Sequence, residues 1–110
     1  MHELAIAEGV VEVVAERIGA ARAVRVILRV GRLTCVEPDA VRFCFEACAR
    51  GTPVEGAALE IVDVPARARC RTCGAPELEV DARIPLCACG SADLEVVSGE
   101  ELSVAAVEVA

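Results

Sequence analysis

Four cysteines within twenty residues constrain this chain more than any other feature. They form two pairs, Cys70-Arg71-Thr72-Cys73-Gly74 and, after 13 intervening residues, Cys87-Ala88-Cys89-Gly90. The surrounding stretch, residues 66–97, holds two of the five prolines, scattered charges and little periodic apolar pattern. About 32 residues are too few to bury a self-sufficient core, so something other than apolar packing must hold this lobe together. Two thiolates two residues apart can bind one ion, and the glycine after the first pair permits the positive φ that turns backbone N–H groups toward sulfur. Together the pairs supply the four sulfurs that tetrahedral zinc prefers, and metal binding supplies folding energy. A disulfide or redox lobe fits less well. A thioredoxin-like Cys-x-x-Cys opens a helix, whereas Cys73 leads into Gly74-Ala75-Pro76. The second pair has one residue between its cysteines where the usual knuckle has two, which tightens the chelate loop. Asp81, Asp93 or water is the weaker alternative as fourth ligand.

The remaining 78 or so residues read as one modest domain. Leu4, Ala7, Val11, Val14 and Ile18 recur at spacings of three and four beside a stripe of Glu8, Glu12 and Glu16, which predicts a helix over 3–18. From Ala23 to Leu33 the period changes to two, with Val24, Val26, Leu28 and Val30 alternating with Arg25, Ile27 and Arg29, the pattern of a strand. Pro38 at a first helical position, with Gly51 and Pro53 as stops, predicts a second helix over 38–50 burying Val41, Phe45 and Cys48. Ala58 to Val64 and Leu102 to Val109 read as two further strands. The expected fold is α+β: a two-layer domain of a three-stranded sheet and two helices, residues 1–65 and 98–110, with a zinc-ribbon-like lobe, residues 66–97, inserted into it.

Composition excludes several functions. Eleven arginines and no lysine stand against 18 acids, a net charge of -7, so a phosphate backbone is repelled and nucleic acid is not an expected partner. One histidine, His2, and no lysine exclude an internal Ser-His-Asp triad, a Schiff base and a Walker A loop. The longest uncharged run, Ile84 to Ala92, falls far short of the roughly 20 apolar residues of a bilayer span, so no membrane partner is expected. The start Met-His-Glu-Leu-Ala is acidic where a secretory signal is basic, which points to the cytoplasm.

Three cysteines lie outside the lobe. Cys44 and Cys48 are four apart and flank Phe45; they could form a ligand pair, but they read as small buried hydrophobes, as does Cys35. Arg67, Arg69 and Arg71 alternate before the first knuckle and read as a solvated strand face, balanced by Glu77, Glu79, Asp81, Asp93 and Glu95.

His2 gains its interest from its position. The Met1 amine, the His2 amide nitrogen and the His2 imidazole can close fused chelate rings around one ion, with the amide or carboxylate of Glu3 near the fourth position. Nitrogen-rich square-planar fields suit Ni(II) or Cu(II) rather than zinc. The amine, with a reference pKa of about 7.7 to 8.0, and the imidazole, about 6.5, must both lose protons, so binding strengthens from mildly acid to neutral pH.

Several segments carry a family resemblance in order along the chain. They are Met1-His-Glu-Leu-Ala-Ile-Ala-Glu8, Val36-Glu-Pro-Asp-Ala-Val-Arg-Phe-Cys-Phe-Glu46, Gly51-Thr-Pro53, Glu55-Gly-Ala-Ala-Leu-Glu-Ile61, Cys70-Arg-Thr-Cys-Gly74, Ser98-Gly-Glu-Glu-Leu102 and Val107-Glu-Val109. Together they resemble the HypA/HybF family of hydrogenase maturation factors. The resemblance implies a nickel metallochaperone, not an enzyme. It would help insert nickel into the large subunit of nickel-iron hydrogenase with a GTP-hydrolysing nickel partner; some relatives also serve urease. It further implies that His2 is the essential nickel ligand, with the Met1 amine and Glu3 in support, and that Cys70, Cys73, Cys87 and Cys89 hold a structural zinc. The family typically shows Cys-Pro-x-Cys-Gly at the second knuckle; here Leu86 falls at the position of its first cysteine and Cys87 at that of its proline. The alternative is a zinc-ribbon interaction module without a nickel role. A weak homodimer is left open.

Overall fold

The computed structural model describes residues 2–110. In chain order the elements are α1 (Glu3–Ile18), β1 (Ala23–Gly31), a 3-10 turn (Arg32–Thr34), α2 (Pro38–Ala49), β2 (Ala58–Val64), β3 (Arg67–Cys70), β4 (Leu78–Glu79), β5 (Leu94–Ser98) and β6 (Leu102–Val109). They build two three-stranded sheets, ordered β2-β1-β6 and β4-β3-β5. The α+β class with two helices is therefore as the sequence predicts, and the cysteine lobe carries a small sheet of its own. No helix among the described residues is long and apolar enough to cross a membrane.

Two compact units divide the chain. One comprises the chain up to Arg29 with Val36–Val62 and Ser103–Ala110; the other comprises Val30–Cys35 and Asp63–Leu102. In the first unit α1 packs on α2. Ala7, Val10, Val11 and Val14 form the inner face of α1, and Val41, Phe45 and Ala49, one turn apart, that of α2. Strand β1 is central, and Val26 and Leu28 are essentially inaccessible. With a single buried ring, Phe45, this core is otherwise aliphatic. Pro38 opens α2 at its first positions, and the Glu37 side chain caps it by accepting from the Asp39 amide.

Details of the helical stripes differ from expectation. Leu4 is exposed, because the inner arc of α1 is centred on Val10 and Val11 rather than on the line from Leu4 to Ile18. Cys48 is only half-buried, because the i, i+4 row through Val41 and Phe45 ends on Ala49. Cys35 is exposed rather than packed: it follows the 3-10 turn with φ 56, a left-handed turn position at the surface. Strand β1 ends at Gly31, two residues before the predicted end, where the backbone tightens into that 3-10 turn.

The second unit has a very small core. Ala66, Ala68 and Val80 are buried, with Leu33, Leu78 and Leu94 packed around them. Strand β3 pairs antiparallel with both β4 and β5, with a register shift between Arg67 and Ala68. Its outward arginines are ion-paired: Arg67 with Glu77, Arg69 with Glu77 and Glu95, and Arg71 with Asp93. The Arg67–Arg71 face is thus the solvated strand face that the alternation suggests.

Residues 30–35 join this unit through backbone bonds, Gly31 N–H to Glu101 O at 2.7 Å and Leu33 N–H to Gly99 O at 2.8 Å. The approach is close enough that a Cβ on Gly31 would lie 2.1 Å from the Gly99 carbonyl oxygen. Backbone cannot yield there as a side chain would. Gly31→Ala is expected to cost about 2 kcal/mol or more and to lower Tm by roughly 10 °C. Gly9→Ala, in α1 with open space around its Cβ, is expected to gain about 0.5–1 kcal/mol from helix propensity. Thermal denaturation followed by circular dichroism checks both; equal effects would show that the close backbone contact is not the cause.

Candidate metal centre

The four lobe cysteines converge. Their sulfurs all lie within 4.8 Å of one another, with Cys70 and Cys87 buried and Cys73 and Cys89 exposed. The Cys70–Cys89 and Cys73–Cys87 sulfur separations are both 3.7 Å. A regular tetrahedron with zinc–sulfur bonds of about 2.3 Å has edges of about 3.8 Å. A disulfide needs about 2.05 Å, so these are thiols gathered around a common centre and not bonded pairs. The donor set therefore fits a tetrahedral thiophilic ion, and the single residue between Cys87 and Cys89 does not prevent both from reaching the group. Cys87 sits on a tight loop closed by Gly90 N–H to Cys87 O and Cys87 N–H to Ser91 O.

The knuckles are tied to each other as well as to the sulfurs. Thr72 Oγ1 and Ser91 Oγ lie 2.7 Å apart, and the Arg71 guanidinium donates to Asp93 and to the Leu94 carbonyl. Asp93 is thus engaged by Arg71, and Asp81 accepts from the Arg83 amide and guanidinium. Neither carboxylate belongs to the four-sulfur group. Gly74, with φ 66, makes the turn after the first knuckle in the left-handed region that other residues avoid.

Electrostatics separates the thiols. The Cys73 amide donates to Cys70 Sγ at 3.5 Å and, with a second donation from the Thr72 amide, pulls the Cys70 thiol down to about 6. The Ala75 amide favours ionisation of Cys73, yet the neighbouring Cys70 and Cys87 thiols outweigh it and push Cys73 up to about 11. Cys89 is likewise raised: donation from the Ser91 amide is outweighed by the Cys87 thiol, burial and Cys70. One thiolate forms readily, and further negative charge in the cluster calls for a cation.

At the other candidate site, His2 is exposed and stands at the N-cap of α1 without a side-chain capping bond; its carbonyl accepts from the Ile6 amide at 3.0 Å. Met1 lies outside the described residues. The Glu3 carboxylate accepts from the Glu37 amide at 3.1 Å, which holds its carboxyl below the usual range. This anchor of the first helical residue to the entry of α2 had no signal in the sequence, since it joins residues 34 apart.

Comparison with known proteins decides the family. Residues 1–109 match the family model described as "Hydrogenase/urease nickel incorporation, metallochaperone, hypA". The chain belongs to the HypA family. Among curated HypA relatives, "Hydrogenase maturation factor HypA" of Geobacter metallireducens is 47% identical over 99% of both chains. That of Nostoc sp. is 44% identical over 99% of this chain and 96% of its own. Two solution structures share the fold. One is of a HypA protein, with a TM-score of 0.67 at 22% identity over 100% of this chain and 97% of that one. The other, "the Ni metallochaperone HypA from Helicobacter pylori", has a TM-score of 0.67 at 23% identity over 99% and 97%. HypA is thus a family of metallochaperones, maturation factors rather than catalysts, and this member carries a four-cysteine site of the kind that holds a metal ion.

The depressed Cys70 fixes the sign of a pH effect. Below pH about 6 the metal must displace a proton from Cys70; above it that thiol is already ionised. Each displaced proton makes apparent affinity change about tenfold per pH unit. Metal retention should therefore fall as pH drops, and more steeply below pH about 6. Calorimetry in buffers of different ionisation enthalpy should count one fewer proton released per ion above that pH; an unchanged count would remove the distinction between Cys70 and its neighbours.

Proposed function

We propose that this chain is a nickel carrier with a chelating N-terminus and a separate structural zinc site, and that it assists nickel insertion into the large subunit of nickel-iron hydrogenase. Nickel is the cargo. The observation that carries the reading is the placement of the chain's single histidine, His2, exposed at the head of α1, within a family of hydrogenase and urease nickel-incorporation proteins.

An α-helix does not use its first four amides in its own ladder, so the start of α1 is where backbone nitrogen can turn to a ligand role. The Met1 amine, the His2 amide and the His2 imidazole form an all-nitrogen set suited to Ni(II). Glu3 supports it in two ways. Its amide nitrogen is adjacent in the chain, and its carboxylate, bonded to the Glu37 amide, fixes where the first turn begins. Protons on amine and imidazole compete with the ion near neutral pH, which suits hand-over better than storage.

The zinc, held by Cys70, Cys73, Cys87 and Cys89, keeps the lobe folded and takes no part in cargo exchange. It would leave no thiolate of the two knuckles available for redox turnover. The partners that follow are a GTP-hydrolysing nickel protein and the hydrogenase large subunit, met in the cytoplasm; a second copy of the chain enters only as a weak contact. A net charge of -7 argues against nucleic acid.

Nickel titration of untagged protein beginning at Met1 tests the reading. His2→Ala, or one residue added before Met1, is expected to abolish nickel binding with zinc content and helicity unchanged. Cys73→Ser is expected to remove zinc and unfold residues 66–97 while leaving intrinsic nickel affinity nearly intact. Native mass spectrometry counts the two metals separately. Equal nickel uptake by wild type and His2→Ala would leave only a zinc-stabilised interaction module.

A further inference from the structure

Three thiols remain that neither metal site uses, and Cys35 stands alone at an exposed turn. Cys44 and Cys48 are both free and both half-buried on α2. They lie one helical turn apart beside the inner row of Val41, Phe45 and Ala49. Packed small hydrophobes would be fully buried, as Ala49 on the same helix is. These two instead sit at the border between the core and solvent, where a small ion can reach them.

We infer that Cys44 and Cys48 form a second thiophilic site on α2, a two-coordinate site for a soft monovalent cation of the Cu(I) type. Three considerations lead to this ligand. Residues i and i+4 on a helix have Cβ atoms about 5–6 Å apart, whereas a disulfide needs about 3.5–4.5 Å. Oxidation to a disulfide would therefore distort α2, while an ion between the sulfurs spans the gap. Two thiolates with no nitrogen donor select a soft ion over Ni(II). No third ligating side chain groups with them among the described residues, which suits two-coordinate chemistry and not the four-coordinate chemistry of zinc.

The field around the pair favours a cation. Burial, the Glu8 carboxylate on α1 and the Cys44 thiol all push the Cys48 thiol up, so its proton is held firmly. The negative charge on Glu8 that holds a proton there also favours any cation that replaces it. Binding breaks two S–H bonds, forms two metal–sulfur bonds and releases two protons to solvent, with no electron transferred. The site does not depend on the nickel reading, because His2 plays no part in it.

The test uses the full chain loaded with zinc, kept under anaerobic conditions and given Cu(I) as a coloured chelate complex. Wild type is expected to withdraw one equivalent of copper that the Cys44→Ser/Cys48→Ser protein does not, with one zinc retained per chain throughout. Cys44→Ala/Cys48→Ala serves as a second variant should serine at these half-buried positions unfold α2, which circular dichroism reports. Cys35→Ser and His2→Ala are expected to take up copper as wild type does. Equal uptake by wild type and a folded double variant would overturn the site. So would copper uptake matched by zinc release, which would place the ion in the four-sulfur cluster.

Discussion

Four thiol groups meet in a unit whose apolar cluster is two alanines and a valine with three leucines around them, with Val30 and Val64 the other buried aliphatic side chains among its described residues. So little buried area cannot offset the ordering of some forty residues. The sulfur cluster is the feature of that unit fitted to make up the difference, as a site for a metal ion. The Thr72–Ser91 contact and the Arg71–Asp93 pair align the two knuckles. Exposed pairs of this kind contribute little by themselves. They matter because they bring the sulfurs to the spacing of a tetrahedral ion, and an ion bound there would supply folding energy that the small core lacks.

The first unit works differently. Its core is built from valine, leucine, alanine and one phenylalanine around a central strand, with no buried polar residue among the described residues. Such a core uses no ion among its packing groups, so that in the proposed function cargo exchange at the head of α1 leaves it untouched. Soft sulfur donors and nitrogen donors sit in different units and prefer different metals. The carrier proposed here, with one resident ion and one transient ion, is served by that chemical division, since each set discriminates against the other's metal.

Much of this was legible in the sequence, for local reasons. The helices announced themselves through spacing and through Pro38, and the cysteine pairs through their repeat. Strands β3, β4 and β5 were not legible, because Arg67–Cys70 alternates arginine with alanine and β4 is two residues long. Their pairing rests on partners up to 31 positions away, such as Arg67 with Ser98. Cys35 was misread because a left-handed turn on a non-glycine residue leaves no compositional trace. The Glu3–Glu37 bond was equally silent. The four converging cysteines were readable because thiols carry their chemistry in their identity, whereas anchors carry it only in their position.

Membership of residues 30–35 in the second unit changes what counts as its sequence. Leu33 belongs to its small core, and the backbone bonds of Gly31 and Leu33 secure its Ser98–Glu101 corner. A peptide excised at 66–97 leaves behind one of three leucines and the strand end that backs Gly99. Transplanting the metal lobe into another protein therefore means moving two discontinuous pieces of chain. Evolutionary exchange of this lobe between homologues would be hard to achieve by a single recombination event.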